Sequence, residues 1–171
     1  MKIHWKSLIV CILIPLAVGG LSGFLARDGM QAFSELQQPP LSPPGWLFPV
    51  VWTILYILMG IASYLARKAS PGSSKSSVHP GIAGSSLTTV DPAGTFYTLQ
   101  LFFNFGWSLI FFNLQAYLLA FFWLVILWIL IAITTILFAQ KSRTAGLLML
   151  PYLAWVTFAG YLNLGIWWLN G

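Results

Sequence analysis

Five stretches of the chain are long, apolar and free of Asp, Glu, Lys and Arg. A helix needs about 20 such residues to cross the hydrocarbon core of a bilayer. The predicted spans are residues 7–26, 46–66, 94–112, 118–139 and 145–169. The chain lacks the alternation of apolar and polar residues that is typical of transmembrane strands, which disfavours a β-barrel. We therefore expect one all-α membrane domain over residues 1–171, a bundle of five transmembrane helices.

The connections between these spans differ in composition. Residues 27–45 contain the pairs Pro39-Pro40 and Pro43-Pro44, whose rings restrict the backbone, so we expect this first loop to form a semi-rigid cap. Residues 70–92 are rich in Ser, Gly, Thr and Pro, which is typical of a flexible loop. Between the third and fourth spans only residues 113–116 interrupt the apolar run, which predicts a tight hairpin.

The charged residues indicate an orientation in the membrane. Hydrophobic residues make up 58% of the chain and charged residues 6%, too few charges to solvate the surface of a water-soluble protein. Although the formal net charge is +5, the cations lie in short separate segments, so no nucleic-acid-binding face is indicated. They concentrate in the N-terminal tail and in the second and fourth connections, and only Arg27 lies on the other side. The positive-inside rule then places the N-terminus on the cytoplasmic side and the C-terminus opposite.

The N-terminal segment has a second interpretation. A basic start followed by an apolar run is also typical of a cleaved signal peptide. Here the apolar run continues to Arg27 and reaches the length of a span, which favours a retained first helix.

The uncharged spans exclude several kinds of function. A proton-coupled transporter keeps acids or bases within its helices, and a retinal protein needs a buried Lys. The sequence has no motif for cradling nucleotide phosphates, for binding catalytic zinc or for a serine nucleophile. Cys11 stands alone, and no Cys/His spacing resembles a metal site. His4 and His79 lie in segments on the cytoplasmic side, so neither is expected to ligate a haem iron.

Tryptophans and amides within the spans are the remaining candidates for function. Five tryptophans lie too far inside to belong to an interfacial belt: Trp52, Trp107, Trp123, Trp128 and Trp155. Helix packing explains each one singly, but together they indicate a flat aromatic ligand. One face of the third span carries side chains at three- and four-residue steps: Tyr97, Gln100, Asn104, Trp107, Ser108 and Phe111. Its amides, with Asn163 of the fifth span, either hydrogen-bond between helices or contact a ligand.

Three segments carry a family resemblance. They read P-P-G-W-x-F-P-x-V-W-x-x-L-Y at residues 43–56, Y-x-x-Q-L-x-x-N-x-x-W-S-x-x-F-F at 97–112 and P-Y-L-A-W-x-x-F-A-x-x-L-N at 151–163. With Pro15 and the pair Gly19/Gly23 in the first span, they resemble the TspO/translocator protein family, also called tryptophan-rich sensory proteins and peripheral-type benzodiazepine receptors. The resemblance covers nearly the whole chain.

The resemblance implies a homodimeric five-helix bundle with a lipophilic pocket beneath the first loop. The ligands it implies are protoporphyrin-type tetrapyrroles, haem, and synthetic benzodiazepine-type or isoquinoline compounds. Matched residue by residue, the pocket should contain Phe48, Trp52, Asn104, Trp107, Trp155, Phe158, Ala159 and Leu162. Such a pocket holds a porphyrin by stacking and apolar contact, without an axial His, a metal site or a further cofactor.

Arg27 is a further candidate for ligand binding. As the only cation on the side of the first loop, it could pair with the propionates of a porphyrin through two parallel hydrogen bonds. The alternative is an exposed ion pair with Asp28 or Glu35, which would contribute little.

Three functions fit these expectations. The first is a receptor, sensor or carrier for porphyrins and related lipophilic ligands. The second is an enzyme that degrades porphyrins with light or oxygen, as in some bacterial members, with Trp52 and Trp155 as candidate oxidisable residues. The third is a structural partner in membrane assemblies.

The sequence also departs from the family pattern. The first loop has Phe33, Gln38 and Leu41 where the family often has Tyr, Lys and Trp. The cholesterol motif of animal members needs a Tyr followed by Lys or Arg, and the residues after Asn163 lack it, so cholesterol binding is not carried over.

Overall fold

The computed structural model describes residues 3–33, 35–69 and 91–171, and within these residues the regular structure is helical throughout. Five long helices follow one another: α1 Trp5–Phe33, α2 Leu47–Lys68, α3 Pro92–Ser108, α4 Tyr117–Lys141 and α5 Arg143–Asn170. The predicted all-α class is confirmed. Four of the helices, α1, α2, α4 and α5, are long and apolar enough to cross a membrane. The predicted flexible loop, residues 70–92, lies almost entirely outside the described residues.

Helix α1 is longer than the span predicted for it. It continues beyond residue 26 to Phe33, so the first part of the predicted loop is helical. Hydropathy measures only the apolar stretch that fills a bilayer, whereas backbone hydrogen bonds can continue a helix through polar residues. The extension packs against residues that follow α3, because Gly29 lies close to the carbonyl of Phe112. Just before the extension, Asn113 Nδ2 donates to the carbonyl of Leu25 at 2.9 Å.

Helix α3 continues into a π-helical segment, Leu109–Asn113. There the amide of Leu114 donates to the carbonyl of Leu109 at 3.1 Å, one residue farther along the chain than in an α-helix. Gln115 then takes a left-handed backbone conformation with φ of 51°, and α4 begins at Tyr117. The predicted tight hairpin is confirmed at this position.

Close helix approaches depend on small residues. A Cβ added to Gly60 would lie 2.5 Å from Ile12 Cα and 2.8 Å from the carbonyl oxygen of Cys11, so α1 and α2 touch backbone to backbone there. Gly19 similarly makes room for the ring of Tyr56. Gly20 and Gly23 differ, because among the described residues nothing lies within 4 Å of a Cβ added to either. Of the predicted Gly19/Gly23 pair, Gly19 therefore packs within the described part of the chain, and Gly23 has no close neighbour there.

One end of the bundle gathers the ends of the helices that carry most of the described cations. The backbone amide of His4 donates to Tyr64 Oη at 3.0 Å, which joins the start of α1 to the end of α2. Lys141 Nζ at the end of α4 lies 2.6 Å from Asp91 Oδ1 at the start of α3. The hydrogen bond from Lys141 holds the pKa of the Asp91 carboxyl below its usual value.

Candidate functional site

The opposite end of the bundle contains a continuous group of aromatic rings, which we call the aromatic cluster. Its members come from α1, α2, α3 with the π-helical segment, and α5: Phe33, Phe48, Trp52, Tyr56, Trp107, Phe111, Phe112, Tyr152, Trp155 and Phe158. Trp52 stacks on Tyr56 with centroids 5.6 Å apart and lies 6.3 Å from Trp107. Trp107 stacks in turn on Phe111 at 5.3 Å. The rings therefore form one connected apolar region across several helices.

Asn104 connects three helices beneath these rings. Tyr56 Oη donates to Asn104 Oδ1 at 2.8 Å, and Asn104 Nδ2 donates to Tyr152 Oη at 3.0 Å. The Asn104 side chain is 1% exposed, so these bonds satisfy an amide that water does not reach. For Asn104, the structure therefore shows hydrogen bonding between helices, one of the two roles that the sequence left open for this amide.

The indole of Trp107 is held by a second amide. The side-chain amide of Asn163 is oriented so that both of its polar groups have a partner. The Asn163 oxygen accepts from Trp107 Nε1 at 3.1 Å, and the Asn163 nitrogen donates to the carbonyl of Tyr117 at 2.8 Å. Gln100, one helical turn before Asn104, is also fully buried, and its Nε2 points to Met59 Sδ at 3.9 Å. The predicted face of α3 thus turns into the bundle.

The cap loop, residues 35–46 between α1 and α2, is attached to α5. Asn170 Oδ1 accepts from the backbone amide of Gln37, and Asn170 Nδ2 donates to the carbonyl of Gln37, both at 3.0 Å. Tyr161 Oη donates to the carbonyl of Pro40 at 2.7 Å. Between these bonds Pro39 packs on Gly165, where an added Cβ would lie 2.7 Å from the proline Cβ. The expected cap therefore has three points of attachment along one helix.

A groove of about 380 Å³ lies between α2 and α5. It is lined by Val51, Ile54, Leu55, Leu58, Pro151, Ala154, Trp155 and Phe158. Trp155 also belongs to the aromatic cluster, with its ring 6.0 Å from Phe48. Its indole Nε1 is shielded from solvent and has no hydrogen-bond partner among the described residues.

The structure divides the residues expected in the pocket into three groups. Asn104 and Trp107 are buried inside the bundle, and Trp52 is partly buried against Trp107. Phe48 contacts Trp155 and reaches Trp107 through Phe33 and Phe111. Trp155 and Phe158 line the groove. Ala159 and Leu162 are buried on α5, each 6% exposed.

The contacts described for Arg27 are with residues outside these three groups. Its Nε is 3.4 Å from Asp28 Oδ1, and the Arg27 side chain is 64% exposed. The guanidinium carbon also lies 4.7 Å from the centroid of the Phe24 ring. The pairing with Asp28 is the alternative considered from the sequence, and its exposure makes it a weak contact.

Several residues of the site were not identified from the sequence as site residues. Tyr56 and Tyr152 are the hydrogen-bond partners of Asn104, and Tyr161 and Asn170 hold the cap loop. The signal available for the two buried tyrosines was their position inside predicted spans, where a phenol hydroxyl needs a partner. The residues that hold the cap loop carry no comparable signal, because they face a loop distant in sequence.

The sequence profile of the TspO/MBR family matches residues 11–169. The chain belongs to this family. It is 41% identical over 165 residues to the tryptophan-rich protein TspO of Chlorobaculum tepidum, covering 96% of both chains. It is 33% identical to the translocator protein of Ovis aries, covering 95% of this chain and 89% of the relative. It is 30% identical to the tryptophan-rich sensory protein of Cereibacter sphaeroides, covering 99% of this chain and 95% of the relative.

Membership of the TspO/MBR family agrees with the helical structure. The matched residues include α1 from Cys11 onward, the whole or nearly the whole of α2 to α5, the cap loop and the groove. Together with the four helices of membrane-spanning length, the family identifies an integral, multi-pass membrane protein.

Proposed function

We propose that this TspO/MBR-family protein is a receptor, sensor or carrier that binds porphyrins and related lipophilic ligands at the aromatic cluster beneath the cap loop. The observation that carries the proposal is the unbroken series of ring contacts that runs from Trp155 through Phe48, Phe33, Phe111 and Trp107 to Trp52. A flat aromatic ligand can form a ring contact with a protein ring in place of a contact between two protein rings. Each aromatic pair contributes about 0.5–1.5 kcal/mol beyond the area it buries. Benzodiazepine-type and isoquinoline compounds offer the same flat apolar surface.

The porphyrin carboxylates would remain at the outer end of the bundle. Burying an unpaired carboxylate is strongly unfavourable, so the propionates stay near water while the macrocycle enters the cluster. Arg27 is exposed at the end of the bundle where α1 meets the hairpin, and its pairing with Asp28 is weak enough to exchange for a propionate. We assign Arg27 this role.

The proposed membrane arrangement has five spans. Helix α3 and the π-helical segment together cover residues 92–113, an apolar and uncharged length sufficient for a crossing. An odd number of spans places the cation-rich end, with the N-terminus, on the cytoplasmic side and the cap loop opposite. Cysteines introduced at Leu41 and Ser77 should react with an impermeant maleimide from opposite faces of sealed vesicles. Labelling of both from one face would contradict five spans.

A homodimer is part of the proposal. Gly20 and Gly23 leave a strip of small residues on α1 that has no close neighbour among residues 3–33, 35–69 and 91–171, and such strips let membrane helices approach closely. Crosslinking between single cysteines placed at Gly20 in two copies would support this interface. A monomer in lipid discs at all protein-to-lipid ratios would contradict it.

The central test is pigment binding in the dark followed by illumination. Wild-type protein in lipid discs, titrated with protoporphyrin, should show quenching of tryptophan fluorescence and a shifted porphyrin absorption band. Trp52→Leu should weaken this binding, whereas the control Trp168→Leu, at an indole that is 79% exposed, should not. Stable pigment under light supports binding or carriage. Protein-dependent loss of pigment would instead indicate the porphyrin-degrading enzyme, and absence of binding would indicate the structural partner.

A further inference from the structure

The groove between α2 and α5 opens on the outer surface of the bundle. Its volume of about 380 Å³ falls within the range of small-molecule sites, about 300–1,000 Å³. Ile54 and Ala154 on its walls are exposed, whereas Leu55 is buried beneath them. In a membrane-spanning bundle this opening faces lipid acyl chains, so an occupant would come from the bilayer.

The inner wall of the groove is also the outer wall of the aromatic cluster. Trp155 lines the groove and lies 6.0 Å from Phe48 within the cluster. Phe158 likewise lines the groove and lies 5.7 Å from Trp155, ring centroid to ring centroid. Trp155 and Phe158 therefore belong both to the lining of the groove and to the aromatic cluster.

Trp155 is the only residue lining the groove that has a polar side-chain atom. Its Nε1 is shielded and unpaired in the described part of the chain, and an unpaired buried donor is unfavourable until an acceptor reaches it. One helical turn earlier, Pro151 has no amide hydrogen and therefore leaves the carbonyl of Leu147 without its α-helical partner. The groove thus combines an apolar wall with a hydrogen-bond donor that the protein itself does not use.

Access through the cap loop requires more bonds to break. Two hydrogen bonds between Gln37 and Asn170 and one between Pro40 and Tyr161 hold that loop on α5. The α2/α5 groove is already open at its outer side. A ligand dissolved in lipid can therefore enter the groove without breaking hydrogen bonds, whereas entry beneath the cap loop requires three to break.

We propose that the groove between α2 and α5 is a lateral port through which a flat lipophilic molecule passes from the bilayer to the aromatic cluster. The molecule carries a hydrogen-bond acceptor, which the indole N–H of Trp155 captures. This inference rests on the proposed function, to which it adds the route and the chemical feature that the route selects.

Association kinetics test the port. The probe is protoporphyrin dimethyl ester, a neutral porphyrin, delivered in lipid vesicles to protein in lipid discs. Ala154→Trp fills the groove and should slow both association and dissociation by about tenfold or more, with little change in Kd because the final site is intact. Ala154→Phe should give an intermediate effect. The matched control is Leu150→Trp, at an exposed position of α5 outside the groove lining.

Trp155→Phe tests the hydrogen bond. Phenylalanine keeps a ring in the groove but lacks the donor, so the association rate of the dimethyl ester should fall about 2- to 13-fold. The association rate of an alkyl porphyrin without side-chain oxygens should fall less, because it offers the indole N–H no acceptor. Equal losses for the two porphyrins would remove the indole N–H from recognition.

The outcomes separate this inference from the proposed function. If wild-type protein binds the ester and Ala154→Trp associates as fast as Leu150→Trp, the port is wrong and the binding function stands. If Ala154→Trp loses affinity through faster dissociation, the groove is a final site rather than a route, and the port is again wrong. If wild-type protein binds neither porphyrin, both proposals fail together.

Discussion

Asn104→Leu should destabilise the bundle even without a ligand. The substitution removes the two hydrogen bonds that join α2, α3 and α5, at 2.8 Å to Tyr56 and 3.0 Å to Tyr152. Interhelical hydrogen bonds in membranes average about 0.6 kcal/mol and reach about 1.7 kcal/mol. Loss of two therefore lowers the free energy of unfolding by about 1–3 kcal/mol, and the buried Tyr56 hydroxyl loses its acceptor.

Thermal unfolding followed by circular dichroism would measure this loss. For a chain of this size each kcal/mol shifts Tm by about 2–4 °C, so we expect Asn104→Leu to lower Tm by about 2–12 °C. Gln140→Leu is the control, because it removes an exposed amide near the end of α4. Adding Tyr56→Phe to Asn104→Leu removes the orphaned hydroxyl and should recover part of the loss.

Tm values measured without and with porphyrin would show whether Asn104 stabilises the bundle or acts on the ligand. If Asn104→Leu unfolds at the same temperature as Gln140→Leu without porphyrin, the two hydrogen bonds do not hold the helices together. If in addition the porphyrin-induced rise in Tm disappears only in Asn104→Leu, the amide acts on the ligand instead.

Three further predictions concern charge and packing. Arg27→Gln should weaken protoporphyrin binding at most about fivefold and spare its dimethyl ester; equal losses in a fluorescence titration would assign Arg27 to the fold. Because Lys141 lowers the pKa of Asp91 in the folded protein, this pair stabilises the protein at pH values above the unfolded pKa of about 4. That stability should fade as pH falls through the folded pKa, and a Tm series in which Asp91→Asn retains the full acid dependence would contradict it. In monomeric protein, Gly60→Ala should lower Tm by forcing α1 and α2 apart, whereas Gly20→Ala, which meets no atom of the described residues, should be neutral or mildly stabilising; equal Tm values would show that α1 and α2 separate without cost.

The fold followed from the sequence wherever hydropathy was the deciding signal. The bilayer requires every backbone group to be satisfied within a helix, so long uncharged runs have few alternatives. Two features of the helices were not predicted from hydropathy. Helix α1 extends through Arg27 and Asp28, and the end of α3 takes π-helical hydrogen bonds that bring Phe111 and Phe112 towards Phe33. Neither feature has a hydropathy signature.

The site was predictable in its aromatic residues and much less so in its hydrogen bonds. Motif matching identified Trp52, Trp107 and Trp155. The structure places Trp52 beside Trp107 and links Trp107 to Trp155 through the rings of Phe111, Phe33 and Phe48. The partners of each polar group depend on the rotation and register of helices far apart in the chain. A helical period indicates which side chains share a face, but it does not indicate which residue of another helix lies opposite.

The attachment of the cap loop to α5 has a consequence for biosynthesis. Gln37 and its partner Asn170 are separated by 133 positions, so the loop leaves the ribosome long before the side chain that fastens it. A nascent chain that has inserted α1 to α4 already presents Phe33, Phe48 and Trp52 but has no anchor for the loop above them. Closure of the cap loop over these rings therefore has to wait for the synthesis and insertion of α5, which carries Asn170.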